Sequence, residues 1–221
     1  MPIPKPKGEI MKKEKEIRIL KVAELRIKRE GDTPPQIEGY AAVFNKDSED
    51  MGFIERIAPG AFKKALKTSD VRALFNHDPN IILGRTSAGT LELKEDKKGL
   101  FMIVTPPDTQ LVRDMVLTPI ERGDITQQSF GFIVKADEWK NLDNEKDTPV
   151  RTITEIGELF DVSPVTFPAY PDTVVALRSL TQMKQDAATS AQDAETRAKD
   201  EQINLEIDIL NAARTEGGLQ R

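Results

Sequence analysis

Cysteine is absent from this chain of 221 residues. That excludes disulfide bonds, thiolate metal sites and a cysteine nucleophile, and it agrees with a reducing compartment. Histidine occurs once, as His77. Chemistry that needs an imidazole near neutral pH must use that residue or take one from another chain. A metal would be left with carboxylate ligands alone, which suit calcium or magnesium. No segment has the acidic spacing and glycine of a calcium loop, and Asp47, Glu49 and Asp50 read as a solvated loop. A glycine-rich phosphate cradle is also missing, so neither metal nor cofactor is expected. No apolar run reaches membrane-spanning length, and the opening Met1-Pro-Ile-Pro-Lys-Pro-Lys-Gly8 does not read as a signal peptide. The expectation is a soluble, cytosolic protein with no membrane partner. Basic residues are not in excess: 32 Lys and Arg face 37 Asp and Glu, a net charge of −5. That balance argues against binding along a nucleic-acid backbone.

What is present sorts into three regions. Residues 1–15 form a flexible arm rich in Lys and Pro. Residues 16–180 carry strand-like segments punctuated by Gly, Pro and Asp. From 181 to 221 aromatics disappear and Gln, Ala, Asp and Glu dominate. Strands are predicted over Ile17–Ile27, Gln36–Phe44, Val71–Phe75, Ile81–Gly84, Thr90–Leu93, Leu100–Val104, Ser129–Ala136 and Phe160–Phe167. Glu95-Asp-Lys-Lys-Gly99 forms the turn of a hairpin. Two helices are predicted, Pro59–Lys67 and Asp108–Arg122. The second stops at Gly123, with Pro119 marking a kink or an early end. Many short strands with two interposed helices predict an α+β domain, mostly β, whose sheet is closed or nearly closed into a barrel. The last region predicts an amphipathic helical tail, with Met183, Ala187, Ala191, Ala194 and Ala198 on one stripe and Ile203, Ile207 and Leu210 continuing it. It packs on its own domain or a twin, or serves as a partner-binding or removable segment.

A serine nucleophile needs a base within hydrogen-bond reach and a third group that orients the base. His77 lies in Leu74-Phe-Asn-His-Asp-Pro79, where an apolar strand runs out into a turn. Ser129 lies in Gln127-Gln-Ser-Phe-Gly-Phe132, at the start of an alternating strand. Gly131, two residues on, leaves room for a substrate backbone, and the N–H groups near Phe130 and Gly131 are candidates for an oxyanion site. Asp161 lies in Leu159-Phe-Asp-Val-Ser-Pro-Val-Thr-Phe-Pro168. Strict alternation there puts Phe160 and Val162 on one face and Asp161 and Ser163 on the other. Each of the three residues, taken alone, also reads as an ordinary polar side chain of a loop or strand.

Taken in order, these motifs resemble those of the HK97-type tailed-phage prohead maturation proteases. The resemblance rests on Leu-Phe-Asn-His-Asp, Ile-Leu-Gly-Arg-Thr-Ser-Ala-Gly-Thr-Leu-Glu-Leu, Gln-Gln-Ser-Phe-Gly-Phe and Leu-Phe-Asp-Val-Ser-Pro-Val-Thr-Phe-Pro-Ala. Gly39-Tyr-Ala-Ala-Val-Phe44 and Ile57-Ala-Pro-Gly-Ala-Phe62 add to it, and it spans roughly residues 17–180. It implies a serine endopeptidase that removes the scaffolding segment of the phage major capsid protein and then digests itself, inside the immature prohead in the cytoplasm of the infected bacterium. It also implies self-association and the β-barrel with flanking helices of the herpesvirus assembly proteases. The family histidine falls on His77 and its serine on Ser129. Many relatives carry Glu where this chain has Asp161, so Asp161 takes the third role, with Glu158 as the alternative. The other reading is a catalytically inactive scaffolding or capsid-assembly protein that keeps the protease fold.

Overall fold

The computed structural model describes residues 14–20, 24–142, 147–167 and 173–217. Most of the lysine- and proline-rich arm, residues 1–13, therefore lies outside the described residues. The chain divides into two units, Met1–Leu177 and Arg178–Arg221.

The first unit is built on two sheets. One is six-stranded, in the order β1-β9-β10-β5-β6 with β4 also paired to β10; the other runs β2-β3-β8-β7. Their strands are β1 Glu16–Leu20, β2 Arg26–Lys28, β3 Gln36–Val43, β4 Ile54–Ile57, β5 Arg72–Phe75, β6 Asp78–Arg85, β7 Leu91–Glu95, β8 Gly99–Val104, β9 Gln127–Lys140 and β10 Val150–Val165. The strand predicted over Ile17–Ile27 is thus two strands, one in each sheet. Short β4 and the early half of β10 are additions that the residue pattern did not announce. Among the described residues no ring of hydrogen bonds closes a barrel, and the strands pair as two separate sheets.

One hydrophobic core joins the sheets. Leu100, Met102 and Val104 alternate inward on β8, as do Phe130, Phe132 and Val134 on β9. Such period-two patterns put one face of each strand against the other sheet. The predicted β7–β8 hairpin forms, with Glu95 opposite Leu100. Asp96 closes its turn by accepting from the N–H groups of Lys98 at 2.7 Å and Gly99 at 2.9 Å.

Of the helices, the first is shorter than predicted, Ala65–Thr68, with turns before it. The second runs through Gln110–Val112, a π-helical segment Arg113–Leu117 and Thr118–Arg122. Thr109 caps its start, and Gly123 ends it in the left-handed conformation, φ 80°. Pro119 does not end the helix early. It cannot donate an i→i−4 bond, and the helix widens into a π turn just before it, the kind of adjustment that tolerates a missing donor. Val112, Val116, Leu117 and Ile120 point from this helix into the core.

The C-terminal helix, Thr173–Gly217, starts in the last residues of the first unit and supplies the described residues of the second. On the predicted stripe Met183 is half-buried, while Ala194, Ala198 and Ile203 are exposed. The side chains of Ala187, Ala191, Ile207 and Leu210 lie outside the description.

Candidate active site

Strand order brings the predicted residues together. β10 lies between β9 and β5, so groups on three consecutive strands of one sheet meet on one face. Ser163 of β10 stands opposite Ser129 of β9, and Asp161 stands opposite Gly131. On its other edge Asp161 pairs with Arg72, at the start of β5. β5 then leads to His77 through a two-residue turn, since Phe75 pairs with Asp78. Asn76 and His77 have φ of 53° and 57°, the two positive values of a type I′ hairpin turn.

That conformation is costly for residues other than glycine, and Asn76 holds it in place. Its N–H donates to the Pro164 carbonyl at 3.0 Å. Its amide donates to Thr166 Oγ1 at 2.9 Å, and its Oδ1 accepts from the Thr166 N–H at 2.8 Å. The turn is thereby tied to the end of β10, the strand that carries Asp161.

The three side chains form a connected line. His77 Nε2 and Ser129 Oγ are 2.7 Å apart, and His77 Nδ1 is hydrogen-bonded to Asp161 Oδ1. Ser163 Oγ donates to the same oxygen at 2.9 Å, and Lys15 Nζ donates to Asp161 Oδ2 at 3.0 Å. Ser129 and Asp161 are buried, whereas 15% of the His77 side chain is exposed. Burial pushes the Asp161 carboxyl up. Hydrogen bonds and charge from His77 and Lys15 outweigh it and hold the group below its ordinary value, hence ionised. In the tautomer with the proton on Nδ1, that proton goes to Asp161 and Nε2 is free to accept the serine proton. The Arg18 carbonyl is a second acceptor for Ser129 Oγ, at 3.0 Å. One hydroxyl proton serves either acceptor, so the serine is shared between His77 and β1.

Glu158 is not part of this line. It is exposed on β10 opposite Ile133 and borders a cleft of about 460 Å³ with Thr68, Ser69, Asp70 and Arg72. Alternation along the last motif also departs from the prediction. A register shift between Leu159 and Asp161 leaves Leu159 and Val162 in the core, without Phe160. A bulge of this kind turns an extra residue out of the regular pattern.

At Gly131 the missing side chain makes room for other residues of the chain. A Cβ there would lie 2.4 Å from Lys15 Cε and 2.7 Å from Asp161 Oδ2, so the space is filled by the Lys15–Asp161 pair. Phe130 and Gly131 sit in a strand flanked on both edges, by β1 and β10. Their N–H groups therefore point along the sheet, not up at the Ser129 hydroxyl. The oxyanion donors expected there do not have that geometry.

Two contributors escaped sequence reasoning. Ser163 was visible on the Asp161 face by alternation, but nothing marked its hydroxyl as a partner of the carboxylate. Lys15 fell in a charged arm with no local signal. β1 itself is anchored on the far face by buried ions. Arg18 donates to Glu55 at 2.6 and 2.9 Å and to Glu16 at 2.5 Å. Arg151 donates to Glu16 at 2.8 Å, to Glu55 at 3.0 Å and to Asp137 at 2.7 Å. Each buried charge has an opposite partner, as burial requires, and removing one member of such a set costs about 3–5 kcal/mol. Among the described residues, no cluster of His, Asp and Glu has the arrangement of a metal site.

A family model described as caudovirus prohead serine protease matches residues 21–186. No curated protein and no solved structure gives a significant match.

Proposed function

The chain belongs to the caudovirus prohead serine protease family, and from that premise we propose that it is an endopeptidase with Ser129 as nucleophile, His77 as general base and Asp161 as the group that orients His77. The observation that carries the reading is the hydrogen-bonded line from Ser129 Oγ through His77 to Asp161. Ser129 Oγ adds to the scissile carbonyl carbon while His77 Nε2 takes its proton. The C–N bond then breaks, and His77 gives that proton to the leaving amine. Water, deprotonated by the same imidazole, hydrolyses the acyl-enzyme and regenerates Ser129. Asp161 keeps the proton of the resting imidazole on Nδ1 and stabilises the imidazolium formed in each half.

The substrate is the scaffolding segment of the phage major capsid protein, followed by the enzyme itself, inside the prohead in the host cytoplasm. Self-association accompanies that confinement. The tail from residue 181 serves delivery and not peptide-bond chemistry. The resemblance also supports a fold shared with the herpesvirus assembly proteases and their β-barrel.

Ser129 is fully buried at rest, so an incoming peptide must open its cover. Labelling of the full chain with a fluorophosphonate reads opening and nucleophilicity together. Wild type should label, and Ser129→Ala and His77→Ala should both be silent while keeping wild-type thermal unfolding. Coexpression with the capsid protein, followed by intact mass of both chains, should show cleavage only with wild type. A folded wild type that neither labels nor cleaves would instead support the inactive assembly protein. Full activity in His77→Ala would sink the mechanism, because no other histidine exists in the chain.

A further inference from the structure

Lys15 lies upstream of the residues that the family model matches, 21–186, yet it reaches the centre of the site. We infer that Lys15 is a positioning residue of the active site, a built-in counter-cation that holds the Asp161 carboxylate in register with His77. This rests on the catalytic reading of Ser129, His77 and Asp161 given above.

Four observations converge on it. The ammonium meets Asp161 Oδ2 at 3.0 Å, leaving Oδ1 to His77 and Ser163. The carboxylate has therefore no free rotation about its own axis, because both oxygens are engaged. The lysine lies in a slot whose floor is Gly131; a Cβ there would come within 2.4 Å of its Cε and 2.9 Å of its Nζ. A third surface is the ring of Phe160, whose centroid is 5.3 Å from Nζ, a cation–π distance. The strand that delivers the lysine is not loose, because Glu16 and Arg18 just beyond it are locked into the buried ion cluster.

Electrostatics explain what the cation is for. Whenever His77 is neutral, as a base must be to accept a proton, the buried carboxylate would lack a counter-charge without Lys15, and burying one unpaired is expensive. Lys15 supplies that charge while the imidazole is neutral. His77 meets Asp161 from β10 and Ser129 from β9, and the lysine acts on it through Asp161. Without Lys15, the carboxylate's charge is left to the imidazolium alone. Protonation of His77 is then favoured, and the base is used up at higher pH than in wild type.

The experiment measures the rate of fluorophosphonate labelling against pH for the full chain. Lys15→Met keeps much of the length and removes the charge. It should label about tenfold more slowly on the plateau, the lower end of what is lost when a group that orients a metal ligand is removed, and its rate should fall off on the acid side at a higher pH. Lys15→Ala should be similarly slow and should recover when propylammonium is added, because the site is open to water on the lysine side, 43% exposed. Wild-type rate and profile in Lys15→Met would overturn the inference. Should that variant fold poorly, absence of amine rescue in Lys15→Ala would overturn it equally. Ser129→Ala is measured alongside, and residual labelling there would strike the catalytic reading itself and not the role of Lys15.

Discussion

Gly131→Ala adds one methyl group at the most crowded point of the site. The new Cβ would stand 2.4 Å from Lys15 Cε, 2.7 Å from Asp161 Oδ2 and 2.9 Å from Lys15 Nζ. Carbon atoms in contact stay about 3.5 Å or more apart, so something must move. Lys15 can swing away, since its side chain is 43% exposed. The displaced ammonium stays beside the carboxylate, so weakening the pair costs only about 0.5–1 kcal/mol. Asp161 cannot swing, because His77 and Ser163 hold its other oxygen. It must shift by a few tenths of an ångström, and overpacking of this kind costs about 1–3 kcal/mol. Alanine returns about 0.5–1 kcal/mol over glycine within a strand. The net loss is about 1–3 kcal/mol, a fall in Tm of about 2–12 °C for a chain of this size. Catalysis should suffer more than folding. A misplaced orienting group costs up to about a hundredfold per ångström, so a shift of a few tenths should lower labelling about three- to tenfold while the variant remains folded at 25 °C. Thermal unfolding and labelling rate on the same sample separate the two effects. A folded Gly131→Ala variant that labels within about twofold of wild type would refute the reasoning, because Asp161 would then tolerate displacement and the slot would have no bearing on the base.

Asp161→Asn should lower the labelling rate by about three to four orders of magnitude, since an amide at that place favours the wrong imidazole tautomer. Glu158→Gln should leave the rate near wild type, and the reverse ranking would move the third role to Glu158. Acid should unfold the domain through its buried carboxylates. Burial pushes the Glu16 carboxyl up from 4.5, but hydrogen bonds and charge from Arg151 and Arg18 bring it below that value; Asp161 likewise lies below its ordinary 3.8. The unfolded chain therefore takes up these protons first as pH falls. The stability they contribute is complete above about pH 5, begins to fall near the unfolded-state values and is lost as pH drops through the lower folded-state values. Thermal unfolding measured from pH 7 to pH 3 should show that decline, and Glu16→Gln should flatten it while lowering stability at neutral pH. An equally steep decline in Glu16→Gln would exclude Glu16 as a source.

How much of this was readable without coordinates differs from residue to residue, for physical reasons. His77 and Ser129 stood out because scarcity and local setting are properties of the chain itself. One histidine exists, it follows an apolar run, and the serine opens a strand of alternating polarity. Alternation also recovered most of β3, β8 and the first half of β9, because burial on one face imposes a period of two on the residues themselves. Hairpin chemistry at Asp96 and the stop at Gly123 were legible for the same reason, being satisfied by neighbours in sequence. Pairing between distant strands leaves no such trace. Whether Asp161 or Glu158 faces His77 depends on the register of β10 against β9 and β5, and the shift between Leu159 and Asp161 moves residues off the face that strict alternation assigns. Lys15, Ser163 and Gly131 acquire their roles only where β1, β9 and β10 lie side by side. A lysine in a charged arm, a strand serine and a glycine look ordinary until the sheet places a buried carboxylate among them.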